Sequence, residues 1–181
     1  GAYQCYGDQF YQLEKRRPPR GEAQPYILDK EILIDLENLI NDAKSSRKRD
    51  DDLPERLRRI SRRIDESRLR NAPITEQEAA AYAELEEYEV AIDKYGWLLT
   101  QEKAYFSVRS LEQWCNLQAQ YLPMLKGKQK TEELLAQMEQ VVERLTNLLS
   151  LGETRERLSL LGSAYKRKAM LVDDPAAKRA A

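Results

Sequence analysis

TEELLAQMEQVVERLTNLLSLGETRERLSLLGSAYKRKAMLV, residues 131–172, is the stretch that decides the fold. Its first half sets Leu134, Met138, Val141, Leu145 and Leu148 at alternating steps of four and three, the period of one helix face. Leu135, Val142 and Leu149 follow one position after three of these and make that face wider than a two-stranded coiled-coil seam. Gly152 stands where a helix C′ residue belongs, and Thr154 is an N-cap residue for a second helix reaching about residue 172. Two helices joined by so short a connection lie antiparallel, so the stretch predicts a helical hairpin.

Further hairpins are expected on working outward. Ser107 predicts the cap of a helix through Tyr121 that stops near Pro123. Thr75-Glu-Gln-Glu78 fits a capping box and predicts a helix over 75–101. Pro54, with Asp52 as cap, opens a helix whose narrow apolar stripe is Leu57, Ile60 and Ile64 and which Asn71-Ala72-Pro73 closes. Residues 29–44, with Leu28 just before them, set Leu28, Ile32, Leu36, Leu39 and Ile40 on one face, widened by Leu33 and Ile34, and predict a well-buried helix. Residues 3–13 are aromatic-rich and read as a short helix, cut off by Pro18 and Pro19. No stretch alternates with period two. The chain is therefore expected to be all-α with about seven helices: an N-terminal segment 1–21, a hairpin over 22–73 with a basic second helix, and stacked hairpins over 74–181.

Composition narrows the function. Gly and Pro number only seven each in 181 residues, which suits long helices. Histidine is absent, which removes the commonest general base, the Ser–His and Cys–His nucleophile pairs and most transition-metal sites. Cys5 and Cys115 lie too far apart for a C-x-x-C motif and read either as one disulfide or, as is commoner for two lone cysteines, as thiols of a reducing compartment. No long apolar run and no signal peptide is present, so the expectation is a soluble, cytoplasmic, non-catalytic chain with no cofactor and no metal. Gly1-Ala2 in place of a methionine, and Asp174-Pro175 as the start of a helix, suggest a segment of a longer protein.

The helices resemble a known repeat. Leu158-x-x-Leu161-Gly162-x-x-Tyr165 is similar to the first-helix pattern of the tetratricopeptide repeat, in which a small residue admits a neighbouring helix and an aromatic fills the space beside it. Tyr88-Glu-Val-Ala91-Ile92-x-x-Tyr95-x-x-Leu98-Leu99 resembles the second-helix pattern, after Ala79 and Tyr82. The pattern spans 75–172, departs at Glu78 where a leucine is usual, lacks the closing proline, and does not extend before Asn71. Residues 107–117 and 153–167 further resemble the helical-repeat region of bacterial proteins that carry a caspase-like CHAT protease domain. These resemblances imply a tetratricopeptide-like α-solenoid that binds protein beside a protease whose His and Cys motif lies elsewhere.

Each candidate site has two readings. Residues 44–70 hold 11 Lys/Arg against 6 Asp/Glu, so Arg58, Arg59, Arg62 and Arg63 read either as a surface for nucleic acid or another polyanion, or as partners of the acidic 76–89 face. Lys166 and Arg167, with Glu156, Ser159 and Ser163, fall where the resemblance places a peptide-holding groove, or are ordinary surface residues. Trp97, Trp114 and the ten tyrosines read as partner anchors or as core filling, and Cys115 as a small buried residue. Asp50, Asp51 and Asp52 lack the spacing of a calcium loop and read as linker and cap. The 131–151 face is, alternatively, an oligomerising coiled-coil seam.

Overall fold

The computed structural model describes residues 23–45, 52–67, 71–100 and 107–172, with side chains from Leu28 onward. The expected helix over 3–13, Cys5, Arg68, Arg70 and the Asp174-Pro175 helix start lie outside these. The described residues form seven α-helices: α1 (Ala23–Ser45), α2 (Leu53–Ser67), α3 (Ala72–Glu84), α4 (Tyr88–Thr100), α5 (Val108–Tyr121), α6 (Thr131–Ser150) and α7 (Arg155–Leu171). A 3₁₀ turn, Leu122–Leu125, follows α5 at Pro123.

Several starts and stops are those expected. The Ser107 side chain accepts from the Ser110 amide, and Thr154 from the Arg157 amide, each satisfying one of the orphan donors of a helix start. Gly152 has φ 141°, and its amide donates to the Leu149 carbonyl at 3.0 Å just past the end of α6. Arg157 seals the same turn, donating to the Gly152 carbonyl at 2.6 Å and to the Leu148 carbonyl at 3.3 Å. Its Nε meets Glu112 at 2.7 Å, tying the turn to α5.

The helix expected over 75–101 is two helices. Leu85 ends α3; Glu86 takes φ 63°, its amide donates to the Ala83 carbonyl, and the Glu87 amide reaches the Tyr82 carbonyl at 3.0 Å. This is the hydrogen-bond pattern of a Schellman stop, with glutamate where glycine usually stands. The start moves as well. Asn71 caps α3 by accepting from the Ile74 amide, Pro73 sits in the first turn where its missing N–H costs nothing, and Thr75 lies inside the helix. α1 begins at Ala23, six residues before the expected start.

Neighbouring helices pack as pairs around three successive apolar clusters. The first joins Ile32, Leu36 and Leu39 of α1 to Leu57, Ile60 and Ile64 of α2 and to Ile74 and Ala81 of α3. The second joins Ala79 of α3, Ala91, Tyr95 and Leu98 of α4, and Leu117 of α5. The third joins Cys115 and Ala119 of α5, Leu134, Met138, Val141, Leu145 and Leu148 of α6, and Ala164 and Leu171 of α7. Tyr82 belongs to the first two clusters and Trp114 to the last two, so the cores run on from one pair to the next. α1 touches both α2 and α3, and α5 touches both α6 and α7, the contact habit of a helical array. The stripe of α6 is spent inside the chain, all five residues being at most 2% exposed. That removes it as a coiled-coil seam.

Candidate functional site

Two surfaces carry groups that the packing does not use. The first is the outer face of α7, the last described helix. Leu158, Gly162, Tyr165 and Ala169 recur at steps of four and three and share one stripe. Leu158 is 50% and Tyr165 41% exposed, and a side chain added at Gly162 would meet nothing within 4 Å. Leu161 turns the other way, half-buried against the third cluster.

The expected groove residues border this stripe. Ser159 and Lys166 are exposed beside Gly162, whereas Ser163 and Arg167 lie on the neighbouring, half-buried edge. Lys168 meets Glu139 at 3.5 Å. Lys166 and Arg167 have no carboxylate within salt-bridge distance among the described residues. α7 thus presents an apolar strip with uncommitted cations along one side.

The second surface lies between α3 and α4, a cleft of about 250 Å3 lined by Thr75, Val90, Asp93, Lys94 and Trp97. Val90, Asp93, Lys94 and Trp97 occupy one face of α4 by their spacing. Beneath them Glu78, 2% exposed, accepts from Lys94 at 2.8 Å and from the Ser61 hydroxyl at 2.7 Å. Ser61 lies 3.0 Å from the Tyr82 hydroxyl, and the Lys94 ammonium sits 5.4 Å over the Tyr82 ring. Burial is the main reason the Tyr82 phenol is pushed up from its ordinary value, with Glu78 adding to it. This network holds α2, α3 and α4 together, because a carboxylate so deeply buried is tolerated only when fully paired. Sequence patterning does not show the cleft: it leaves Trp97 between partner anchor and core filling, and reads Glu78 as part of a capping box.

The basic helix α2 is occupied differently from expectation. Arg63 reaches Asp35 at 2.6 Å and Glu31 at 3.7 Å, and Arg56 reaches Asp42 at 2.8 Å, all on α1. Arg58 meets Glu55 at 3.2 Å and Arg59 meets Asp52 at 3.5 Å. Among the described residues the carboxylates thus come from α1 and from α2's own start, because α2 lies along α1; its polar links to the acidic helix α3 run through Ser61, to Glu78 and Tyr82. Arg62 is the exception, with no carboxylate in reach among the described residues.

The remaining candidates are structural in their surroundings. Cys115 is fully buried, and burial pushes its thiol up to about 11. Trp114 packs between two clusters with the Arg144 guanidinium 4.5 Å above its ring. Asp52 pairs with Arg59. Among the described residues no three His, Cys, Asp or Glu side chains gather as a metal site, and no helix is long and apolar enough to cross a membrane.

Comparison with known proteins fits this architecture. None of the curated proteins and none of the solved structures matches the chain. Residues 87–181 match the model of the family described as Tetratricopeptide Repeats-Sensor, abbreviated TPR-S. The match opens at the turn before α4 and takes in α4 to α7, including both small-plus-aromatic patterns, Ala91 with Tyr95 and Gly162 with Tyr165. Covering more than half of the sequence, it assigns the chain to the tetratricopeptide repeats-sensor family.

Proposed function

We propose that this chain is a non-catalytic protein-binding arm whose outer α7 face receives an amphipathic, acidic-flanked segment of a partner. The observation that carries this reading is the strip Leu158, Gly162 and Tyr165, which no described residue covers, next to Lys166 and Arg167, which have no carboxylate partner among the described residues. Apolar side chains of a partner helix would cover Leu158 and Tyr165, and Gly162 would let its backbone come close. Lys166 and Arg167 would meet its carboxylates, with Ser159 and Ser163 as further donors. In a longer protein the arm would act as the sensing or docking element of a CHAT-type, caspase-like protease, the resemblance that residues 107–117 and 153–167 carry.

A displayed library of amphipathic peptides, selected against the intact chain, tests this. The expected winners carry Asp or Glu beside an apolar stripe and lose about tenfold or more in affinity against the double variant Lys166→Glu, Arg167→Glu. Winners that bind this variant as well as the parent would overturn the α7 assignment. Acidic winners that keep their affinity for this variant but lose it in Arg58→Glu, Arg62→Glu would move the interface to α2, and salt-dependent binding of RNA lost in the same variant would replace protein binding by a polyanion reading.

A further inference from the structure

The α3–α4 hairpin is the acidic part of the molecule. Residues 71–100 contain Glu76, Glu78, Glu84, Glu86, Glu87, Glu89 and Asp93 against a single cation, Lys94. Most of the carboxylates whose surroundings are described have a donor. Glu76 accepts from Ser107 and Ser110, Glu84 meets Lys44 at 3.4 Å, and Glu89 accepts from the Tyr121 hydroxyl at 3.2 Å. Lys94 stands next to Asp93 in sequence, yet its ammonium is turned back onto Glu78 at 2.8 Å and over Tyr82. Its charge is spent inside the hairpin. Asp93, exposed at the cleft, has no donor among the described residues and is the uncompensated charge there.

A second observation points the same way. Thr75 lines the cleft and is only 4% exposed, but its hydroxyl oxygen has no hydrogen-bond partner. A buried hydroxyl left unpaired is destabilising, and a polar ligand group at the cleft floor would recover that loss after a turn about χ1. Trp97 and Val90 supply apolar walls, and the indole face attracts cations. The volume, about 250 Å3, falls below the range for drug-sized ligands and suits one side chain or a small amine.

We propose that the cleft between α3 and α4 binds an organic cation, a guanidinium or ammonium group, with Asp93 as its counter-ion, Trp97 as its aromatic wall and Thr75 as a further hydrogen-bond partner. The site is separate from the α7 face and stands independently of the partner proposed for it. Its ligand is either a free amine or the Arg or Lys side chain of a protein.

The test is a titration of the intact chain with agmatine and, in parallel, with a capped arginine tripeptide, followed by the Trp97 indole N–H resonance. Saturable shifts are expected with both, the tighter of the two naming the source. Asp93→Asn should weaken binding by about tenfold, a factor set by the loss of one charge partner, whereas Glu87→Gln, an exposed acid outside the cleft, should leave it unchanged. Thr75→Val, which keeps the shape and removes the hydroxyl, should weaken it by a smaller factor. Lys166→Glu should have no effect, which separates this site from α7. Absence of saturation up to millimolar ligand, equal losses in Asp93→Asn and Glu87→Gln, or preferential binding of acetate would overturn the proposal.

Discussion

Ala91 with Tyr95 on α4, and Gly162 with Tyr165 on α7, are the same chemistry in two places: a small residue and, one turn on, an aromatic. Their surroundings are opposite. Ala91 is fully buried and Tyr95 is 3% exposed, because α4 lies between α3 and α5. Gly162 meets no neighbour and Tyr165 is 41% exposed, because no described helix lies on that side of α7. The pattern therefore specifies a seat for a neighbouring helix, not burial as such. Where a described helix supplies the neighbour the seat is core; where none of the described helices does, it is the face proposed above for a partner.

The comparison is sharpest when equal changes are made on both sides. Tyr95→Ala should cost about 3–5 kcal/mol, the loss for a large aromatic removed from a packed core, whereas Tyr165→Ala should cost less than about 1 kcal/mol. Chemical denaturation of the two variants measures this, and equal losses would show Tyr165 to be covered in solution.

Burial at the second and third clusters also predicts an alkaline limit. Burial above all, with Glu76 adding to it, pushes the Tyr95 phenol up from 10.0 to about 12, and burial pushes the Cys115 thiol up from 9.0 to about 11. Both groups are neutral when protonated, so the folded chain holds its protons at a pH where the unfolded chain has released them. Their contribution is intact below about pH 9 and is lost as pH rises through 11 and 12. Denaturation midpoints should fall across this window, and Tyr95→Phe should flatten the fall above pH 10. A midpoint that stays level to pH 12 would contradict the burial. On the same ground Cys115 should resist iodoacetamide at pH 8 until the chain is unfolded. Prompt labelling of that peptide in the native protein would mean that the α5–α7 core opens readily.

The sequence made some features plain and hid others for identifiable reasons. The caps at Ser107 and Thr154, the stop at Gly152 and the α6 stripe rest on local rules, in which one residue type satisfies one backbone need. The α3–α4 turn was hidden because Glu86 occupies a left-handed position with no glycine to mark it. Glu86→Gly should relieve that strain and raise stability by about 0.5–1 kcal/mol, read as a shifted denaturation midpoint. Thr75 and Glu78 imitated a capping box, yet Glu78 belongs to a tertiary network with Ser61 and Lys94 that only the packing of three helices creates. The cleft was out of reach for the same reason, since Asp93 is uncompensated only because Lys94 is drawn away to Glu78. The partners of α2's arginines depended on which helix lay alongside, and charge patterning could not choose between α1 and α3.

The most direct test of the central claim is the stability of Gly162→Leu set against Ala91→Leu. An open α7 seat predicts that Gly162→Leu stabilises the chain by about 0.5–1 kcal/mol, since a good helix former replaces glycine without meeting a neighbour. Ala91→Leu should destabilise it by about 1–3 kcal/mol through overpacking. If Gly162→Leu instead loses stability to a similar degree, the α7 face is already covered in solution and is not a docking surface.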